Sequence, residues 1–286
     1  MSELYEILRK STDHTGLPVM KTSQFLNTID QFGKEEFRKV LAEYITNEKP
    51  PFPLAEFNKE KVVTNFRKLE KADFTDYLTV TENDRVIEKY DDYKYPYSEY
   101  GLGLIDAPSK FNYCADSFMN DLRMACGSYG YKSPVQRWND GDNLWGAFGP
   151  IFRGVNDNQE LTGRTYIMAF RLGTYIATQF KPIVAKTVYE MTDAKTVLDT
   201  SMGWGDRLTA FFASNATHYI GCDPNPNTFE RYHKMIEFYQ SLTGNKKTVQ
   251  IYRCGAENLP WDEIKDVDCA FTSPPYFSTA PLACKA

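Results

Sequence analysis

The chain has 286 residues, of which 42% are hydrophobic and 25% charged, and its formal net charge is −5. That length buries a sizeable core, most simply as one large domain with an appendage. The acidic balance excludes retention on nucleic acid by whole-body charge, so a nucleic-acid partner requires a local basic patch.

The six cysteines show no C-x-x-C spacing, and the three histidines, His14, His218 and His233, are scattered. Neither pattern proposes a metal site, and the cysteine usage suits a reduced compartment. The opening M-S-E-L-Y-E-I-L-R-K lacks the apolar stretch of a signal peptide, and no apolar run is long enough to span a bilayer. The expectation is a soluble, intracellular protein with no membrane partner.

Residues 20–72 carry apolar side chains at three- and four-residue spacing: Phe25, Ile29 and Phe32, then Phe37, Val40, Leu41, Tyr44 and Ile45. Pro50, Pro51 and Pro53 stop this run, and Val62, Val63, Phe66 and Leu69 begin another, with lysines opposite. Residues 1–75 therefore form a helical N-terminal region, either a plain bundle with a solvated face or a module that contacts DNA or a partner.

Residues 76–160 are expected to be a hairpin and an aromatic-rich connector. Y-L-T-V-T and R-V-I-E-K-Y pair around Glu82, Asn83 and Asp84. Tyr90, Tyr93, Tyr95, Tyr97 and Tyr100 follow among acids and lysines, a pattern open to base stacking or to simple packing. A short helix at Phe118, Leu122 and Met124 gives way to a long loop with Trp138, Trp145 and Phe148, which either shape a substrate entrance or anchor the packing. From Thr162 to Glu190 the pattern is helical and divided by Pro182, with Arg164, Arg171, Lys181 and Lys186 as the best basic stripe in the chain.

Residues 161–286 carry the chemistry. T-V-L-D-T (196–200) is a buried parallel strand, followed by S-M-G-W-G-D-R and a helix. Gly203 and Gly205 sit where the backbone must turn sharply and approach a ligand without a Cβ. The next strand, H-Y-I-G-C-D, ends at Asp223, where a carboxylate either accepts the hydroxyls of a ribose or complements the dipole of the following helix. T-V-Q-I-Y-R is a third strand, and Cys254, Gly255, Ala256 and Glu257 stand where a loop could border an adenine ring. D-V-D-C-A-F is the fourth, followed by Thr272, Ser273, Pro274, Pro275, Tyr276 and Phe277.

Leu208 occupies the position that the third glycine of a nicotinamide-binding G-x-G-x-x-G would take. The series resembles instead the class I S-adenosylmethionine-dependent methyltransferases. Ser-Pro-Pro-Tyr after the fourth strand resembles the amino-methyltransferases of exocyclic nitrogens, cytosine-N4 enzymes above all, with adenine-N6 and RNA guanine enzymes overlapping. The resemblance covers about residues 162–277. It implies a Rossmann-like α/β sheet, of which the first four strands are present, behind a mainly helical N-terminal region. It also implies S-adenosyl-L-methionine as cofactor, held by Asp199, Ser201, Gly203, Gly205, Asp223, Ala256 and Glu257. The partner would be nucleic acid, DNA before RNA.

An exocyclic amine is a poor nucleophile because its lone pair is conjugated with the ring. Acceptors at Ser273 Oγ and the Pro274 carbonyl would hold the amine hydrogens, Pro274 and Pro275 would stiffen the backbone, and Tyr276 would stack on the base. A duplex substrate would have its base flipped out. Nine residues follow Phe277. The family's seven-stranded sheet needs three further strands, so the expectation is a second chain that supplies them or a truncated, inactive product acting at most as a binding module.

Overall fold

A computed structural model describes residues 2–81, 102–127, 130–173, 175–244 and 246–273. The second arm of the expected hairpin (85–90) and the tyrosine-rich connector lie outside them, as do Pro274, Pro275 and Tyr276.

In chain order the helices are α1 (Glu3–Lys10), α2 (Thr22–Phe32), α3 (Lys34–Glu48), α4 (Lys59–Glu70), α5 (Tyr113–Ala125) and α6 (Pro134–Asp140). Then come α7 (Leu144–Ala147), α8 (Gly149–Arg153), α9 (Gly163–Gly173), α10 (Pro182–Met191), α11 (Asp206–Ala213) and α12 (Pro226–Thr243). The strands are β1 (Leu78–Thr81), β2 (Leu102–Ile105), β3 (Thr196–Asp199), β4 (His218–Cys222), β5 (Thr248–Tyr252) and β6 (Cys269–Ala270). No described helix is long and apolar enough to cross a membrane.

The chain divides into two compact units, one from the described residues of Met1–Phe57 and Asn120–Thr178, the other from those of Asn58–Met119 and Gln179–Pro275. Among the described residues the first is all-helical apart from two isolated bridges, Thr12 with Pro18 and Met20 with Leu161. Its core is aromatic: Phe25, Phe37 and Phe152 meet at ring separations of 5.4–6.2 Å, and Trp138 packs edge-on against Tyr166 at 5.7 Å. The stretch expected as a long loop is largely helical. Ser133 accepts from Gln136 N while Gln136 returns a bond to Ser133 N, and Pro134 stands in the first turn, so α6 starts on a capping box. Trp138 and Phe148 are packing anchors: both are buried, and Trp138 Nε1 donates to Pro50 O at 2.7 Å. Trp145 is half exposed, with the Arg38 guanidinium 3.5 Å above its ring.

The second unit is mixed α/β. Its four-stranded sheet is wholly parallel in the order β5-β4-β3-β6, compatible with a Rossmann-like fold. β1 and β2 form a separate antiparallel pair, Leu78 opposite Ile105. Alternation along the parallel strands explains what lies on each face. Leu198, Ile220 and Cys222 join Leu259 in one apolar cluster, against which Ala256, Ile264 and Val267 pack. Val197, Asp199 and Tyr219 point the other way, where Phe211 of α11 meets the Tyr219 ring at 5.3 Å. Every residue of α11 is buried, as its apolar run F-F-A requires.

β6 is shorter than the expected strand, but its neighbours extend the contact: Asp268 N donates to Thr196 O and Phe271 N to Leu198 O. The Asp268 carboxylate also accepts from Lys195 N and Thr196 N at 3.0 Å, clasping the start of β3. Pro182 opens α10, and residues 175–180 before it are not helical. The basic stripe proposed across this stretch loses one member. The Lys186 side chain is 2% exposed, and its ammonium is spent on Glu190 Oε2 and Ala72 O.

Candidate functional site

The order β5-β4-β3-β6 reverses direction between β3 and β6, since the chain runs outward from β3 to β5 and then returns to the far side of β3. In an open parallel sheet the loops at such a reversal part and leave a crevice beyond the carboxyl ends of the strands. Here those loops are Thr200–Gly205 after β3 and Phe271–Ser273 after β6.

The first loop makes a left-handed turn twice, with φ of +57° at Gly203 and +76° at Gly205. The two glycines are needed for different reasons. A Cβ on Gly205 would come within 2.8 Å of the Met235 thioether, which would have to shift to admit it. A Cβ on Gly203 would meet only Ser201 O, at 3.8 Å, so open space lies in front of this turn, as a cradle for a ligand requires.

Asp223, at the end of β4, is beside that cradle. Its Oδ2 accepts from Gly203 N at 2.9 Å, while Oδ1 accepts from Asn225 N at 2.9 Å and Thr228 Oγ1 at 3.4 Å. Tyr232 O–H, one helical turn further on, donates to Gly203 O. Burial raises the Asp223 carboxyl above its ordinary pKa, against the lowering effect of these donors. Gly203 N, Asn225 N, Thr228 Oγ1 and the Tyr232 hydroxyl all bear on this carboxylate. Asp223 thus joins both roles read from the sequence: it braces the first turn of α12 and borders the glycine turn.

Asp199 has a different place from the expected one. It is fully buried on the α11 face of β3 and accepts from Arg207 Nε at 2.8 Å, Tyr219 O–H at 2.7 Å and Ser201 N at 3.2 Å. With three donors around it, it supports the loop after β3. Strand alternation explains this: Asp199 shares its face with Val197 and Tyr219, beneath α11.

Arg207 is the residue that the sequence motifs left unmarked. Its guanidinium, 3% exposed, donates through Nε to Asp199, through one terminal nitrogen to Ser201 O, and through the other to Ser273 Oγ at 2.6 Å. The Phe180 ring lies 5.1 Å from its Cζ. One planar cation with donors at fixed angles therefore holds the loop after β3 and the loop after β6 at once. The paired carboxylate keeps the group net neutral, so a cationic ligand in the crevice meets no uncompensated charge. The adjacent hydroxyls reinforce the link: Ser201 Oγ and Thr272 Oγ1 are 2.6 Å apart, and Thr200 Oγ1 donates to Thr272 Oγ1 at 3.3 Å. Ser273, the member of the proposed clamp inside the described residues, is exposed. With Arg207 donating to it, Oγ keeps one lone pair for an incoming N–H.

Ala256 and Glu257 lie on a short 3-10 helix after β5, Ala256 against the Ile220 and Cys222 side of the sheet and Glu257 exposed. The Glu257 carboxylate folds back against Gly255, where a Cβ would collide with it. Trp261, half exposed, donates its indole N–H to Ala256 O at 3.1 Å, adding an aromatic surface to this loop that no motif announced. Burial pushes the Cys222 thiol up to about 12, and the Cys269 thiol is also raised by burial, so neither supplies a thiolate nucleophile at neutral pH.

The structure therefore brings Ser201, Gly203, Asp223 and Ser273 to one end of the sheet, buries Asp199 beneath it, and sets Ala256 and Glu257 on the neighbouring loop. No protein-family model, no curated protein and no solved structure matches the chain.

Proposed function

We propose that the parallel-sheet unit binds S-adenosyl-L-methionine and transfers its methyl group to an exocyclic amino nitrogen of a nucleobase, cytosine N4 or adenine N6, in DNA before RNA. The observation that carries this reading is the Arg207 bridge. It couples a glycine turn with open space before Gly203 to the serine that begins Ser-Pro-Pro-Tyr, across the reversal point of the sheet.

The residues fit an adenosyl ligand in part. Gly203 offers backbone without a side chain in the way, Asp223 sets a carboxylate beside that turn toward a ribose hydroxyl, and Ala256 and Trp261 supply apolar surface for a purine. Asp199, fully buried, would act on such a ligand through the loop it braces. When bound, the cofactor supplies an electrophilic methyl on a sulfonium. The chain's own share is positioning: Ser273 Oγ accepts one amine hydrogen, and the Pro274 carbonyl, pre-aimed by two proline rings, accepts the other. With both hydrogens held, the nitrogen lone pair turns out of conjugation toward the methyl group. Tyr276 supplies the stacking face for the base.

Calorimetry with S-adenosylmethionine tests the cofactor half, and absence of any binding heat from folded protein refutes it. Transfer of labelled methyl to cytosine- or adenine-containing oligonucleotides, abolished by Tyr276→Ala, tests the rest.

A further inference from the structure

A second recessed site lies in the same unit, away from the loops just described. A cavity of about 360 Å³ is lined by Asn65, Lys68, Lys71, Ala72, Tyr77, Lys110 and Phe111. Two features set it apart from a solvated lysine face. It is recessed and has an aromatic floor: Phe111 is buried, and the half-buried Tyr77 ring meets it edge-on at 6.2 Å. Its basic groups also converge from separate parts of the chain. Asn65, Lys68 and Lys71 recur every three residues along one side of α4 and its C-cap. Lys110 arrives from the short 3-10 helix Ser109–Phe111, with its ammonium 5.1 Å from the Tyr77 ring centre and 4.9 Å from that of Phe111.

The three lysines are exposed, and among the described residues no carboxylate lines the cavity. Of the acids beside α4's end, Glu70 pairs with Arg67 at 2.7 Å and Asp73 accepts from Thr75 N and Thr75 Oγ1. Positive charge around an aromatic floor, in a volume at the lower end of those that hold small ligands, matches a phosphate joined to a flat ring.

We infer that this cavity binds a nucleotide unit, its phosphate among Lys68, Lys71 and Lys110 and its base against Tyr77 and Phe111. The unit is either a free mononucleotide or one residue of a single-stranded nucleic acid. The same chemistry serves both, since each base has a π-face and each phosphate a charge that lysine meets as a point cation. The site stands apart from the methyl-transfer reading and needs no methyl donor.

The test is equilibrium binding to the whole chain, without methyl donor, of AMP, adenosine, inorganic phosphate and a 5′-labelled eight-nucleotide oligodeoxythymidine. Saturable binding of AMP, at least about tenfold tighter than adenosine, is expected if the free nucleotide is the ligand. Saturable binding of the oligonucleotide without AMP binding assigns the polymer. In either case Lys68→Gln and Lys110→Gln each weaken binding roughly three- to tenfold, while Lys234→Gln on α12 leaves it unchanged. Excess S-adenosylmethionine does not displace the ligand, which separates this cavity from the glycine-turn site. Unchanged circular dichroism melting of the variants excludes misfolding. The inference is overturned if neither probe binds, if adenosine binds as tightly as AMP, or if the lysine variants bind like the parent chain.

Discussion

Arg207→Met is the substitution with the largest expected consequence. The Met side chain fills much of the guanidinium's volume but leaves Asp199 fully buried with only Tyr219 O–H and Ser201 N as donors. Stripping one partner from a buried ion pair costs about 3–5 kcal/mol. Urea unfolding at pH 7 followed by tryptophan fluorescence, with the slope m unchanged, measures the deficit. The double variant Asp199→Asn/Arg207→Met should recover most of the loss at pH 7, since no charge is left buried. A deficit below about 1 kcal/mol at pH 7 would refute the assignment of Arg207 as the counter-ion.

The glycine turn separates packing from ligand space: Gly205→Ala should cost about 2–3 kcal/mol in chemical denaturation, from left-handed strain plus the Met235 contact, and Gly203→Ala only about 1 kcal/mol. Gly203→Ala should nonetheless lose cofactor binding in calorimetry, because its Cβ enters the open side of the turn. Asp223→Ala should weaken cofactor binding by at least roughly tenfold through the lost acceptor, whereas an affinity equal to the parent's removes Asp223 from the site. Lys247 donates to Phe211 O, Ser214 O and Ala216 O at the end of α11, and burial lowers its pKa to about 8. Between pH 8 and 10 the unfolded chain holds that proton and the folded chain releases it, so parental stability should rise with pH relative to Lys247→Met. A flat difference across a denaturation series in that window would refute the shift.

Much of the parallel sheet is legible in the sequence because its strands are uninterrupted apolar runs that end at an acid or a turn. T-V-L-D, H-Y-I-G-C and T-V-Q-I-Y all form where their composition places them. Pro182, which removes one backbone donor, marks the start of α10, and the prolines after Glu48 mark the end of α3. Residues 130–160 were harder because Gly, Asn and Asp suggest loop, whereas a capping box and buried aromatics draw short helices from them. The site was half legible. Gly203, Gly205, Asp223 and Ser273 announce themselves by residue type next to strand ends. Asp199 looks the same by that criterion, and only the alternation of β3 and the position of α11 reveal that it lies on the buried face, paired with Arg207. Arg207 could have been found by the same route, as the first cation after a buried acid on the helix that covers it. The lysine cavity was out of reach, since Lys110 meets α4 through tertiary packing and not through any local pattern.

The three bonds of Arg207 differ in how far along the chain they reach. Asp199 is 8 residues away and Ser201 is 6, whereas Ser273 is 66 away. The first two close within one strand–turn–helix unit, early in any folding route that begins with local contacts. Ser273 closes last, once the two intervening strands have been laid down and the chain has returned across β3. The two halves of the site are then joined by a docking event whose progress could be followed at a single guanidinium.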